Sequence, residues 1–391
     1  MFGKISLHRF MYEPMREANE AGHDSISPLE LRLGIVGSNA TPALAERVGW
    51  FAADNTESQV LEILENEHDV SWSKATLRKV TAEIGEGLAA HQHDAQKQQL
   101  LEWMHEADES SGRNRPLLAV GRDGIMIPIR GKTTYKEAST GTVSVFNRRG
   151  KRLGTVYLGQ MPQEHQATLS SRLTQLATDV LAERTSPLPR LAFITDAGHH
   201  PTVYFQNVLA NMTDPQRPSQ RLSWIRVVDF YHAASYLTKL ADVLFAADKS
   251  NDGMVTRYSW LRHLRRLLKE DPNGVSRVLH SAAYRFGKLH NPTQSQRTDY
   301  DSARGYFQNQ REGMNYHECR RLKVPIGSGV TEAACKTVFT QRFKQSGMSW
   351  NLTDDGEVQP ILALRTIRLS RVWNRTVPAW LASRPLPTTI D

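Results

Sequence analysis

The stretch LLAVGRDGIMIPI, residues 117–129, decides the fold. Residues 117–120 and 125–129 are apolar runs too short for helices, and they flank Arg122-Asp123-Gly124, so the segment reads as strand. Further on, residues 142–146 and 153–158 read as a hairpin around Asn147-Arg148-Arg149-Gly150. A helical stretch at 163–184 leads to a short buried strand, 191–194, that closes on Thr195-Asp196. A helix over 202–212 then precedes a second buried strand, 224–228, ending at Asp229.

The resulting order, β-β-β-α-β-α-β, is the plan of a ribonuclease H-like mixed sheet with helices on both faces. The remaining sequence is expected to be helical, which makes the chain a multidomain α and α/β protein. The expected parts are an N-terminal arm at 1–40 and a helical DNA-binding region with connector at 41–110. A sheet core at 111–230, a helical insertion at 231–320, and a final helix with basic C-terminal helices at 321–391 complete the chain.

In the helical region, Thr41-Pro42 is a cap followed by proline at the first helical position, with Leu44, Val48 and Phe51 on one face. Thr56 and Gln59 form a capping box, and Ser71 or Ser73 can cap a third helix carrying Leu77, Val80 and Ile84. Lys74, Arg78 and Lys79 lie on the polar side of that helix. Such an arrangement fits a helix-turn-helix DNA reader; it fits an ordinary bundle with a solvated basic face as well. Residues 231–290 return to helical periodicity, 292–313 read as loop plus a short helix, and Pro325-Ile326-Gly327-Ser328-Gly329 opens a long helix carrying Glu332.

Composition narrows the function classes. The 49 Lys plus Arg against 41 Asp plus Glu leave +8, a balance suited to polyanionic partners. Cys319 and Cys335 are the two cysteines, too few for a disulfide framework or a cysteine zinc module. No apolar run reaches membrane-spanning length and the first residues lack a secretion signal, so a cytoplasmic location without membrane contact is expected.

Asp123 stands within the first strand region, Asp196 at the end of the fourth strand and Glu332 in the first turns of a helix, where a sheet and a helix packed alongside can bring them together. Hard carboxylate oxygens suit Mg²⁺ or Mn²⁺, and two such ions support in-line phosphoryl transfer. Each acid alone has a plainer role, as a turn residue, a cap or a macrodipole partner.

The segments Asp229-Phe230-Tyr231-His232-Ala233, Pro325 to Lys336 (PIGSGVTEAACK) and Gln341 to Trp350 (QRFKQSGMSW) resemble signature segments of bacterial insertion-sequence transposases of the ISKra type, relatives of the Mutator-like DDE transposases. The resemblance covers roughly residues 25 to 375. It implies that Asp123, Asp196 and Glu332 form a DDE triad holding two Mg²⁺ or Mn²⁺ ions, with Asp229 and His232 as accessory residues. It also implies strand cleavage and transfer at terminal inverted repeats, double-stranded DNA as partner, a homo-oligomer on DNA and a nucleoid-associated location. Where relatives carry Asp-Gly-Ala and an aromatic residue, this chain has Asp196-Ala197-Gly198-His199-His200, whose histidines are expected to contact phosphate.

Lys74, Arg78, Lys79, Lys336, Arg342 and Lys344 are the expected DNA contacts, and Arg365, Arg368 and Arg371 recur at three-residue spacing on one helical face. Trp350 is read either as a stacking platform for an extruded base or as a core residue, Cys335 as a small apolar residue on the packed side of its helix. The alternatives kept open are a transposase-derived regulator that binds without cutting and a ribonuclease H-like nuclease.

Overall fold

A computed structural model describes residues 10–12, 27–131, 135–163, 166–246, 251–351 and 355–384. Most of the expected arm at 1–40 thus lies outside the described residues; of its end, Pro28–Leu33 forms a short helix, α1.

The chain is mixed α/β, built on a five-stranded mixed sheet. Its strands are β1 (Leu117–Pro128), β2 (Tyr135–Phe146), β3 (Arg152–Gln160), β4 (Arg190–Thr195) and β7 (Trp224–Val228), in the order β3-β2-β1-β4-β7. β1, β2 and β3 pair antiparallel, while β1, β4 and β7 run parallel. The two apolar runs of the opening stretch are one strand, because Arg122-Asp123-Gly124 pairs with Gly141, Thr140 and Ser139 instead of turning. A small hairpin, β5 (Thr213–Asp214) and β6 (Arg217–Arg221), lies outside this sheet and was not expected.

Alternation along the strands splits the core in two. Leu118, Val120, Leu191 and Phe193 face α5 (Ala167–Ala182) and the far end of α4 (Lys74–Glu109). Leu117, Ala119, Ala192 and Ile194 face a helical block that includes α7 (Phe230–Leu244), α8 (Asn251–Glu270), α9 (Gly274–Phe286), α10 (Gln294–Asn309) and α11 (Tyr316–Arg321). α6 (His199–Asn207) follows β4. The expected loop at 292–313 is mostly α10, a 16-residue helix begun by a Thr293–Gln296 capping box.

α2 (Pro42–Ala52) and α3 (Glu57–His68) start at the expected caps, Thr41 and Thr56. The third helix and the connector are one element: Ser73 caps α4, which runs for 36 residues because buried positions recur every three or four residues from Leu77 to Ala107. These helices share a core with α14 (Asp355–Leu369) and α15 (Trp373–Ser383) through Leu364, Ile367, Trp373 and Trp380. Gly85 allows the contact, since a Cβ there would come within 2.6 Å of Pro360.

The helix expected after Pro325 is interrupted. α12 (Gly329–Ala334) passes into a π-helical turn at Cys335–Thr340 and then α13 (Gln341–Phe343). Arg365, 4% exposed, fills the widened turn by donating to the carbonyls of Thr337 and Val338. It also binds Asp54, as does Arg368, while Arg371 falls beyond the end of α14. Arg365 and Arg368 are therefore packing residues of the shared helical core.

Among the described residues no helix is long and apolar enough to cross a membrane.

Candidate active site

Register places three acids at one level. The last parallel pair between β1 and β4 is Gly121 with Ile194, so Asp123 and Asp196 both lie two residues further on, on that same face of the sheet. The last pair between β4 and β7 is Thr195 with Val228, so Asp196 and Asp229 both come next, and Asp229 N–H donates to Thr195 O at 2.8 Å. β4 and β7 thus deliver Asp196 and Asp229 just past their carboxyl ends, level with Asp123 inside the longer β1.

Glu332 arrives from α12, which docks on β1 where Gly121 has no side chain. Thr331 Oγ1 contacts Thr142 Oγ1 at 2.9 Å across Gly121, and a Cβ on Gly121 would collide with both hydroxyls. One turn after Glu332, Cys335 Sγ lies 3.4 Å from Asp123 Oδ2. Cys335 is on the packed side of its helix, and what it packs on is the first acid; burial and the Asp123 charge push its thiol well above the usual range.

Each carboxylate is held locally. Asp123 Oδ1 accepts from Gly124 N–H at 2.8 Å. Asp196 Oδ1 accepts from Gly198 N–H at 2.9 Å, in a loop that puts Ala197 at φ 69°. Asp229, 1% exposed, caps α7 by accepting from His232 N–H at 2.7 Å and receives the backbone N–H of Ser328 on its other oxygen. Ser328 Oγ lies 2.8 Å from that same Asp229 oxygen and 2.7 Å from Glu332 Oε1, so one hydroxyl bridges the two acids.

Burial raises the Asp123 carboxyl to about 6, the Gly124 N–H opposes it, and the charges of Asp196 and Glu332 add to the rise. Among the described residues no ion pair joins a Lys, Arg or His to any of these four acids. The set is all hard oxygen, which suits Mg²⁺ or Mn²⁺ rather than softer metals. Among the described residues, no three His, Cys, Asp or Glu side chains converge into a ready-made metal site, and Glu332 Oε1 accepts from Ser328 Oγ. The donors fit a divalent cation, in an open arrangement.

His232 packs its ring against Tyr236 and Tyr306, at 5.4 and 5.8 Å between centroids, and is half-buried. Tyr306 was not singled out in the sequence because its helix was read as a loop. Among the described residues its buried hydroxyl has no partner, and it is pushed above the ordinary phenol range by burial, Tyr236, Asp196 and Asp229. His199 and His200 begin α6 with rings 5.5 Å apart.

Of the expected DNA contacts, Lys74, Arg78, Lys79, Lys336 and Lys344 are exposed. Arg78 makes a two-pronged ion pair with Glu57, at 2.8 and 3.0 Å, and Lys79 Nζ reaches Ser38 Oγ at 3.2 Å. Lys336 makes no ion pair with Glu332 among the described residues. Arg342 is a correction: it is 2% exposed and donates to Ala52 O at 3.1 Å, so it does not track a strand on the surface. Trp350 donates from Nε1 to Phe343 O at 2.6 Å and packs on that ring.

No family model matches the chain, and no curated protein matches it.

Proposed function

We propose that the chain is a DDE transposase of the ISKra type, with a ribonuclease H-like catalytic sheet and Asp123, Asp196 and Glu332 as its triad. The observation that carries the reading is the level set of acids on three parallel strands, with Glu332 docked on the same face through Gly121 and Thr331. The strand order, antiparallel in its first three strands and parallel in the rest, supports the ribonuclease H-like assignment. α2, α3 and the first turns of α4 support a helix-turn-helix reader, with Lys74, Arg78 and Lys79 on its exposed side.

Asp123 and Asp196 would share one ion, and Glu332 would hold the second. Two bound divalent ions supply activation of the attacking water or 3′-hydroxyl and stabilise the leaving oxygen. The chain's own contribution is positioning. Asp229 fixes Ser328 from below, Ser328 aims Glu332, and the Gly124 and Gly198 amides hold the two aspartates in place. Exposed Lys336, four residues after Glu332, and exposed Lys344, over the Tyr135 ring, would meet the phosphates of a double-stranded DNA partner, bound by a homo-oligomer.

The test is incubation with duplex DNA from the regions flanking the gene. Mg²⁺- or Mn²⁺-dependent nicking at inverted repeats, stopped by chelation, is the expected result. The turning of Glu332 to Ser328 favours one second reading, a regulator derived from a transposase; binding without nicking in either metal would select it. Nicking without preference for repeat ends would select a ribonuclease H-like nuclease.

A further inference from the structure

Away from the acids lies a cavity of about 390 Å³ whose lining the proposed chemistry does not use. It sits where α3 and α4 meet the end of β1 and the loop before α14. Arg130 lies seven residues beyond Asp123, about 23 Å at strand rise, so the cavity is separate from the cleavage site.

Among the described residues that line it, positive charge predominates: Arg78 is paired with Glu57, and Arg130 and Arg342 add two further cations. Arg342 is 2% exposed; among the described residues its Nε donates to Ala52 O, and its guanidinium lies over the Phe343 ring and over that of Trp350 on the cavity wall, with no hydrogen bond donated from its two terminal nitrogens. Thr81, 5% exposed on the same wall, has a hydroxyl without a partner. Buried donors left unmatched are costly unless something occupies the space they face. Burial and the neighbouring Arg365 charge press the Arg342 guanidinium down to about 10 against the opposing pull of Glu57 and Asp54, and an anion in the cavity would add to that pull.

We propose that this cavity binds a nucleoside 5′-monophosphate, either free or as the 5′ end of a DNA strand. A phosphomonoester carries close to two negative charges near neutral pH, which matches those two cations, whereas an internal phosphodiester carries one. Bare phosphate would leave most of the volume empty, since the space equals roughly a dozen waters at about 30 Å³ each. Trp350 lines the cavity beside Arg342, so a base attached to a phosphate held by Arg342 would lie against the indole. The guanidinium of Arg342 takes the phosphate, and the Thr81 hydroxyl donates to it.

Calorimetric titration of the full chain tests this without reference to cleavage, so its failure and that of the transposase reading are separable. The probes are inorganic phosphate, deoxyadenosine 5′-monophosphate, and a single-stranded oligonucleotide with a 5′-phosphate or a 5′-hydroxyl. Binding of the mononucleotide identifies a free ligand; binding of the 5′-phosphate oligonucleotide over its 5′-hydroxyl twin identifies a strand end. In either case Arg342→Gln weakens binding about ten- to a hundredfold, as loss of a charge-assisted contact does. Arg130→Gln, at an exposed side chain, and isosteric Thr81→Val weaken it less and keep the test open if Arg342→Gln fails to fold. Equal binding by all variants, no difference between the two oligonucleotides with no mononucleotide binding, or binding of inorganic phosphate alone would overturn the assignment.

Discussion

With its carboxyl raised from 3.8 to about 6, Asp123 links stability to pH. Below about pH 4 both the folded and unfolded states are protonated and the group adds no cost. Between 4 and 6 the unfolded state ionises first, so stability falls as pH rises, and above 6 the full cost of about 3 kcal/mol applies. Asp123→Asn removes that cost. In urea unfolding the variant is expected to be more stable than the parent at pH 8 and equal to it at pH 4; a gap independent of pH would rule out the electrostatic account. The acid itself was legible in the sequence, but its partner Cys335 was legible only as a packed residue, since the contact depends on a helix crossing a strand 212 residues away.

Among the elements, the helix carrying Glu332 depends on a residue from another helix. The π turn at Cys335–Thr340 leaves carbonyls that Arg365 satisfies, and the same guanidinium binds Asp54 in the loop after α2. Arg365→Met is expected to lower stability by roughly 2–3 kcal/mol, the scale of charge-assisted hydrogen bonds. Because the side chain is buried, the salt dependence of DNA binding should stay as it was; a shallower slope in the variant would place Arg365 on the DNA surface. Sequence spacing placed Arg365 and Arg368 on one helical face, while Arg371 falls beyond the end of α14, and spacing does not tell a solvent face from a packed one. α10 was hidden by its Gln, Asn and Arg content, although its capping box and the Tyr300, Ala303, Phe307 spacing mark it.

Across the whole molecule, the order of strands and the positions of the acids were legible because short apolar runs ending in acids are local signals. The organisation of the helices was not. The N-terminal helices and α14 and α15 are about 300 residues apart in places and share one core, an association written in Gly85, Pro360 and Trp380 rather than in any local pattern. That core joins the proposed DNA-reading helices to the end of the chain, and Arg365 joins it to the helix of Glu332. The central claim is that residues 123, 196 and 332 act together on DNA. The most direct measurement compares cleavage of terminal-repeat DNA in Mg²⁺ by the parent chain and by Asp123→Asn, Asp196→Asn and Glu332→Gln, with DNA affinity measured alongside. Each substitution should abolish cleavage and leave affinity within about threefold; a substituted chain that still cuts at the parental rate would contradict the claim.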